Sequence, residues 1–137
     1  MKRFLFIILV AFICSDCFAI SALVKYIVDG DTFIADIILT EKIRVNNVSV
    51  RLNNVDTPEI HGHCDVEIER AQMAKERLAE LLPVESVVVL ENIKDDKYSG
   101  RVDANVFDES GYDIGLVLIK EKLGRPYSGG KRQSWCN

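Results

Sequence analysis

Val24-Lys25-Tyr26-Ile27-Val28-Asp29-Gly30-Asp31-Thr32-Phe33-Ile34-Ala35-Asp36-Ile37-Ile38 is a pair of apolar, β-branched runs on either side of an Asp-Gly dipeptide. Such residues suit a pleated, half-buried surface, and Asp-Gly is a strong signal for the reversal that joins two antiparallel strands. The pattern predicts strands over 24–28 and 32–38. Asp29 is accounted for by the turn itself, whereas Asp31 lies just past it. Further on, Asn46-Asn47 reads as a second turn leading into a strand over 48–52. Alternation puts Val48, Val50 and Leu52 on one face of that strand and Ser49, Arg51 and Asn53 on the other.

Ala71, Ala74, Leu78 and Leu81 then recur at helical spacing and predict a helix over 66–82, which Pro83 ends. Strands over 86–91 and 101–107 follow. Glu109-Ser110-Gly111 reads as a turn into a helix over 113–122 with Ile114, Val117, Leu118 and Leu123 on its core face, stopped by Gly124 and Pro126. Five short strands with one helix between the third and fourth predict a β-rich α+β chain. The architecture they fit is an OB-fold, a partly open five-stranded Greek-key β-barrel with two packed helices, which commonly binds nucleic acids and oligosaccharides.

Three stretches carry chemistry. Val50-Arg51-Leu52-Asn53-Asn54-Val55-Asp56-Thr57-Pro58-Glu59-Ile60 runs from a strand bearing one arginine into a turn bearing two carboxylates, and Pro58 stiffens that turn. Asp29-Gly30-Asp31 lies upstream, and Asp96-Lys97-Tyr98-Ser99-Gly100-Arg101 downstream. Phosphoryl chemistry needs an oxygen-ligated cation, a base to prepare water, and planar donors that grip phosphate oxygens in two places. Asp31 and Asp56 fit the cation, Glu59 the base, and Arg51 and Arg101 the forks. Carboxylates without convergent His or Cys favour calcium or magnesium over zinc or copper. The set suits phosphodiester hydrolysis.

In their order and content these motifs resemble the thermonuclease family, the secreted staphylococcal-nuclease-like enzymes, over residues 24–127. The resemblance implies the same OB-fold and an endonuclease that cuts DNA and RNA to 3'-phosphate ends. Position by position, it implies that Asp31, Asp56 and the backbone carbonyl of Thr57 bind Ca2+, with Asp29 behind them. Arg51 and Arg101 would hold the scissile phosphate and Glu59 would be the general base. Lys97 and Tyr98 match positions that line the nucleotide pocket, and Tyr127 is a further candidate for stacking on a base. The chain departs from the family twice. Ser99 interrupts the usual Asp-Lys-Tyr-Gly-Arg run, so Arg101 comes one residue later; within a strand that shift turns a side chain to the opposite face, whereas a bulge or longer turn absorbs it. The chain also stops soon after the second predicted helix, where the family's long C-terminal helix is expected.

Residues 1–19 read as a signal peptide. Lys2 and Arg3 precede an apolar run from Phe4 to Ile13, too short to span a bilayer, with Cys17-Phe18-Ala19 as the expected cleavage site. The surroundings of Cys14 and Cys17 do not form a lipobox; an uncleaved N-terminal anchor is the alternative. Residues 20–137 then make one domain of ordinary size, exported to a periplasm or beyond, expected to be a monomer without stable membrane association. Of the four cysteines, Cys64 and Cys136 lie in that domain. In an exported protein the pair is most simply a disulfide, worth up to roughly 4 kcal/mol in the chain-entropy model; two free thiols are the alternative.

The chain carries 17 Lys+Arg against 21 Asp+Glu. That balance argues against a protein that coats the phosphate backbone and leaves local binding at a metal site. Lys120, Lys122, Arg125, Lys131 and Arg132 form a basic cluster near the end, read as a solvated helix face and tail rather than a binding surface. His61-Gly62-His63-Cys64 lacks the four convergent ligands of a zinc site and reads as a loop leading into the disulfide. Trp135 reads as packing for the tail. Against the nuclease stand two other classes: a non-catalytic OB-fold module binding nucleic acid or oligosaccharide, and a structural protein stabilised by calcium.

Overall fold

A computed structural model describes residues 19–98 and 100–136; most of the expected signal peptide and the inserted Ser99 lie outside the described residues. Five strands close a barrel in the order β1 (Ile20–Ile27), β2 (Thr32–Ile38), β3 (Arg44–Leu52), β6 (Arg101–Phe107) and β5 (Val87–Asp95). All neighbouring pairs are antiparallel except β3 with β6, which run parallel. Helix α1 (Asp65–Leu81) lies in sequence between the third and fourth barrel strands, and α2 (Ile114–Lys120) follows the last. The OB-fold expectation therefore holds. Two short strands outside the barrel, β4 (Val55–Asp56) and β7 (Arg125–Pro126), pair with each other.

Phe33, Val50, Leu52, Leu90 and Val106 fill the barrel, and Leu78, Leu82, Ile114 and Leu118 of the helical side join the same core. Ala71 and Ala74 let α1 approach closely. Leu81, expected in the core, is only half-buried and its place goes to Leu82, while Glu67 begins the buried stripe at the other end of the helix. No helix among the described residues is long and apolar enough to cross a membrane.

Asn46-Asn47 is not the turn expected there. Ala35 pairs with Val48 and Ile37 with Val45, so the two asparagines bulge opposite Asp36 inside β3. Asn47 takes a left-handed φ of 55°, and its N–H donates to Asp36 Oδ1 at 2.9 Å. The chain reverses instead through residues 39–43. Asparagine tolerates positive φ, and at Asn47 that property serves a bulge rather than a turn.

Gly30 is needed for close approach rather than for a left-handed turn. A Cβ there would lie 2.8 Å from Ala74 Cβ and 2.8 Å from Thr57 Oγ1. The loop carrying Asp29 and Asp31 thus rests directly on α1 and on the turn after β4. Gly30→Ala is expected to destabilise the fold by about 1–3 kcal/mol through overpacking, measured by urea denaturation.

Candidate active site

The β1–β2 loop, the end of β3, the β5–β6 hairpin and the C-terminal tail meet around one open cavity of about 800 Å³. Asp29, Asp31, Arg51, Glu59, Lys97, Tyr98, Arg101 and Tyr127 all line it. Strand register explains the convergence: Arg51 stands between Thr32 of β2 and Asp103 of β6, so side chains of one barrel face meet at one end.

Asp31 is almost fully buried. Its backbone N–H donates to Asp29 Oδ1 at 3.2 Å, its Oδ1 accepts from Thr32 Oγ1 at 2.9 Å, and its Oδ2 meets Arg51 Nη2 at 3.2 Å. Asp29 therefore braces the loop from behind. Burial pushes the Asp31 carboxyl up to about 7, against the pull of Arg51. A hard cation beside such a group would ionise it.

Arg101 opens β6 and faces the cavity with Ser99 in the chain. Gly100 has φ of 79°, and the Arg101 N–H closes the turn on Tyr98 O at 3.3 Å. The guanidinium lies 4.7 Å from the centroid of the Tyr98 ring, and its Nε donates to Asp96 Oδ2. Burial works against the Asp96 charge, but the Arg101 hydrogen bond holds the carboxyl below the usual range. Burial raises the neighbouring Asp103 carboxyl, and the Asp96 charge raises it further; Asp103 Oδ1 has no protein partner. Lys97 Nζ lies 5.0 Å from the centroid of the same Tyr98 ring, and the Arg51 guanidinium lies 6.0 Å from the Tyr127 ring centroid.

Asp56 is placed differently from Asp31. It is fully buried in β4 and does not line the cavity. Arg125 Nε donates to its Oδ2 at 2.9 Å, Trp135 Nε1 donates to the same oxygen at 3.2 Å, and Arg132 Nε donates to Oδ1. Arg132 also reaches the Thr57 carbonyl through Nη2 at 3.0 Å and Glu59 Oε1 through Nη1. Burial opposes the Arg132 charge, and the Glu59 and Asp56 carboxylates more than offset it, so its pKa is raised. The expected calcium oxygens of Asp56 and Thr57, and the carboxylate of Glu59, thus converge on a single positive group. That convergence is the sign that these hard oxygens suit a cation.

Glu67, buried in the first turn of α1, fixes the same turn from below by accepting the Glu59 N–H at 3.4 Å and the His63 N–H at 3.0 Å. Cys64 and Cys136 are joined as a disulfide. They also stand beside Glu67 as the one group of three possible metal ligands of this kind among the described residues, but sulfurs bonded to each other are not thiolate ligands.

Sequence reasoning missed Arg125, Arg132, Trp135 and Glu67. Of the basic cluster, Lys120, Lys122 and Lys131 are exposed as expected; Arg132 is exposed too, yet its guanidinium and that of half-buried Arg125 both pair with the buried Asp56. Trp135 packs on the tail, 4.1 Å from Arg125 at its ring centroid, but also hydrogen-bonds Asp56. The signal was available in the cysteines. A bond from Cys136 to Cys64 returns the tail to the turn at 56–64 and brings residue 132 with it.

No curated protein matches the chain. Residues 49–134, well over half its length, match the family described as Staphylococcal nuclease homologue, whose members are typically metal-dependent nucleases acting on nucleic acids, and with the barrel and the cavity in hand the chain belongs to that family.

Proposed function

We propose that the protein is an exported, calcium-dependent endonuclease that hydrolyses phosphodiester bonds in DNA and RNA and leaves 3'-phosphate ends. The observation that carries the reading is the one cavity lined together by Arg51, Arg101 and Lys97 and by Asp31 and Glu59. Two guanidiniums give planar, charge-assisted grips on a phosphate as charge builds on its oxygens. Glu59, at the rim, takes the proton of the attacking water. Tyr98 and Tyr127 offer ring faces to bases without selecting among them. Asp31, Asp56 and the Thr57 carbonyl would hold the calcium, with Asp29 bracing the loop. When bound, the ion supplies positive charge that neutralises the phosphate.

The disulfide fits the oxidising compartment that a cleaved leader over 1–19 implies. A folded domain over 20–137, acting as a monomer free of the membrane, completes the reading. A non-catalytic binding module is the second reading, and the observation in its favour is that Glu59 and Arg101 each already have an ion partner.

Digestion of single-stranded DNA by wild-type protein and by Arg101→Ala tests the assignment. Losing one fixed donor to the transition state is expected to lower turnover by about 10²–10³-fold. Unaltered turnover would place Arg101 outside the mechanism, with Ser99 the reason.

A further inference from the structure

One side chain, Arg132, holds three oxygens that the proposed calcium site would use: Asp56 Oδ1, the Thr57 carbonyl and Glu59 Oε1. The other Asp56 oxygen is bonded separately, to Arg125 and Trp135. Withdrawal of this one guanidinium would therefore free all three atoms and leave the rest of the Asp56 network in place. A cation and a guanidinium cannot share those positions.

The segment that carries Arg132 is built as a strap fixed at both ends. At one end β7 pairs with β4, and the Tyr127 N–H donates to Asn54 O at 3.0 Å. At the other end Cys136 is bonded to Cys64. Between them Gly129 and Gly130 have φ of 96° and 89°, with open space where a Cβ would lie. Two adjacent left-handed glycines without side chains to pack form a hinge whose one side-chain hydrogen bond among the described residues is that from Tyr127 Oη to the Gly130 carbonyl at 2.7 Å, so it turns without breaking core contacts. Arg132, two residues beyond, can leave the carboxylates while both anchors stay in place.

We propose that Arg132 is an internal cation that competes with calcium for Asp56, Thr57 and Glu59, so that the metal site opens only as the hinge at Gly129-Gly130 carries the guanidinium away. This inference rests on the calcium reading of the site. It gives the tail a function beyond stability: in the metal-free protein it neutralises the buried Asp56 carboxylate, and it holds the exposed Glu59 in an ion pair until the metal arrives. The occupied state lowers apparent calcium affinity by the fraction of molecules in which the strap is released.

Calorimetric titration of calcium into oxidised wild-type protein and into R132A tests the competition, with R132K as a charge-keeping control. R132A is expected to bind calcium at least about tenfold more tightly than wild type, and R132K to fall between them. Should R132A fail to fold, the wild type alone decides: the Arg132 Nε–Hε resonance, assigned by its loss in R132K, is expected to shift and exchange faster with solvent as calcium is added. Equal affinities, or an Arg132 resonance that calcium binding leaves unmoved, overturn the proposal while calcium-dependent cutting of DNA keeps the nuclease reading. No calcium binding to any of the proteins overturns both the proposal and the calcium reading.

Discussion

Glu59→Gln is expected to slow phosphodiester cleavage by the calcium-loaded protein by about 10²–10⁴-fold, the usual contribution of a positioned general base, while nucleotide affinity stays close to wild type. The substitution keeps the size of the side chain and an oxygen able to accept from Arg132, so the fold around it is preserved. It also leaves the backbone untouched, and the Glu59 N–H still donates to Glu67. What it removes is the capacity to take a proton from water. Single-turnover cleavage of a labelled oligonucleotide beside binding of a non-cleavable analogue separates the two effects. An unchanged cleavage rate would take Glu59 out of the mechanism.

Paired Cys64→Ser and Cys136→Ser substitution is expected to cost about 4 kcal/mol, because the bond spans a sequence separation of 72 residues. For a domain of this size that corresponds to a fall in Tm of about 15 °C. The loss is local in structure although large in energy. Without the bond, Trp135 and the carbonyls of Gln133 and Ser134 have only Arg125 and Asp56 to hold them. Barrel strands β1, β2, β3, β5 and β6 have no residue in that tail. Differential scanning calorimetry of the oxidised wild type and the double variant checks the magnitude, and a Tm within a few degrees of wild type would show that the tail's ion pairs hold it unaided.

Where residues touch near neighbours in sequence, their structural place could be read directly. Strands β2 and β6 fall where the apolar alternation put them, and Asp113 caps α2 by accepting the Leu116 N–H at 3.1 Å. The extension of β5 to Asp95 could not be read, since Glu91-Asn92-Ile93-Lys94-Asp95 has little intrinsic preference for a strand. It becomes one because Lys94 and Asp95 find Asp103 and Val102 across the hairpin, past a bulge at Asn92. Strands β4 and β7 exist only through each other, so neither has a periodic signal of its own. The same division runs through the site. The two carboxylates and the arginine of residues 50–60 announce themselves within a few positions. The contacts of Arg125 and Arg132 with Asp56 span 69 and 76 residues, and in sequence both arginines look like ordinary surface charges.

The central claim is that the cavity at the end of this barrel cleaves nucleic acid with the help of calcium. The most direct measurement is digestion of single- and double-stranded DNA and of RNA by oxidised residues 20–137, with calcium, with magnesium and with chelator, followed by analysis of the product ends. The account predicts cutting with calcium that stops with chelator and leaves 3'-phosphate termini. A folded protein that binds these nucleic acids and cuts none of them under any of the three conditions would contradict it.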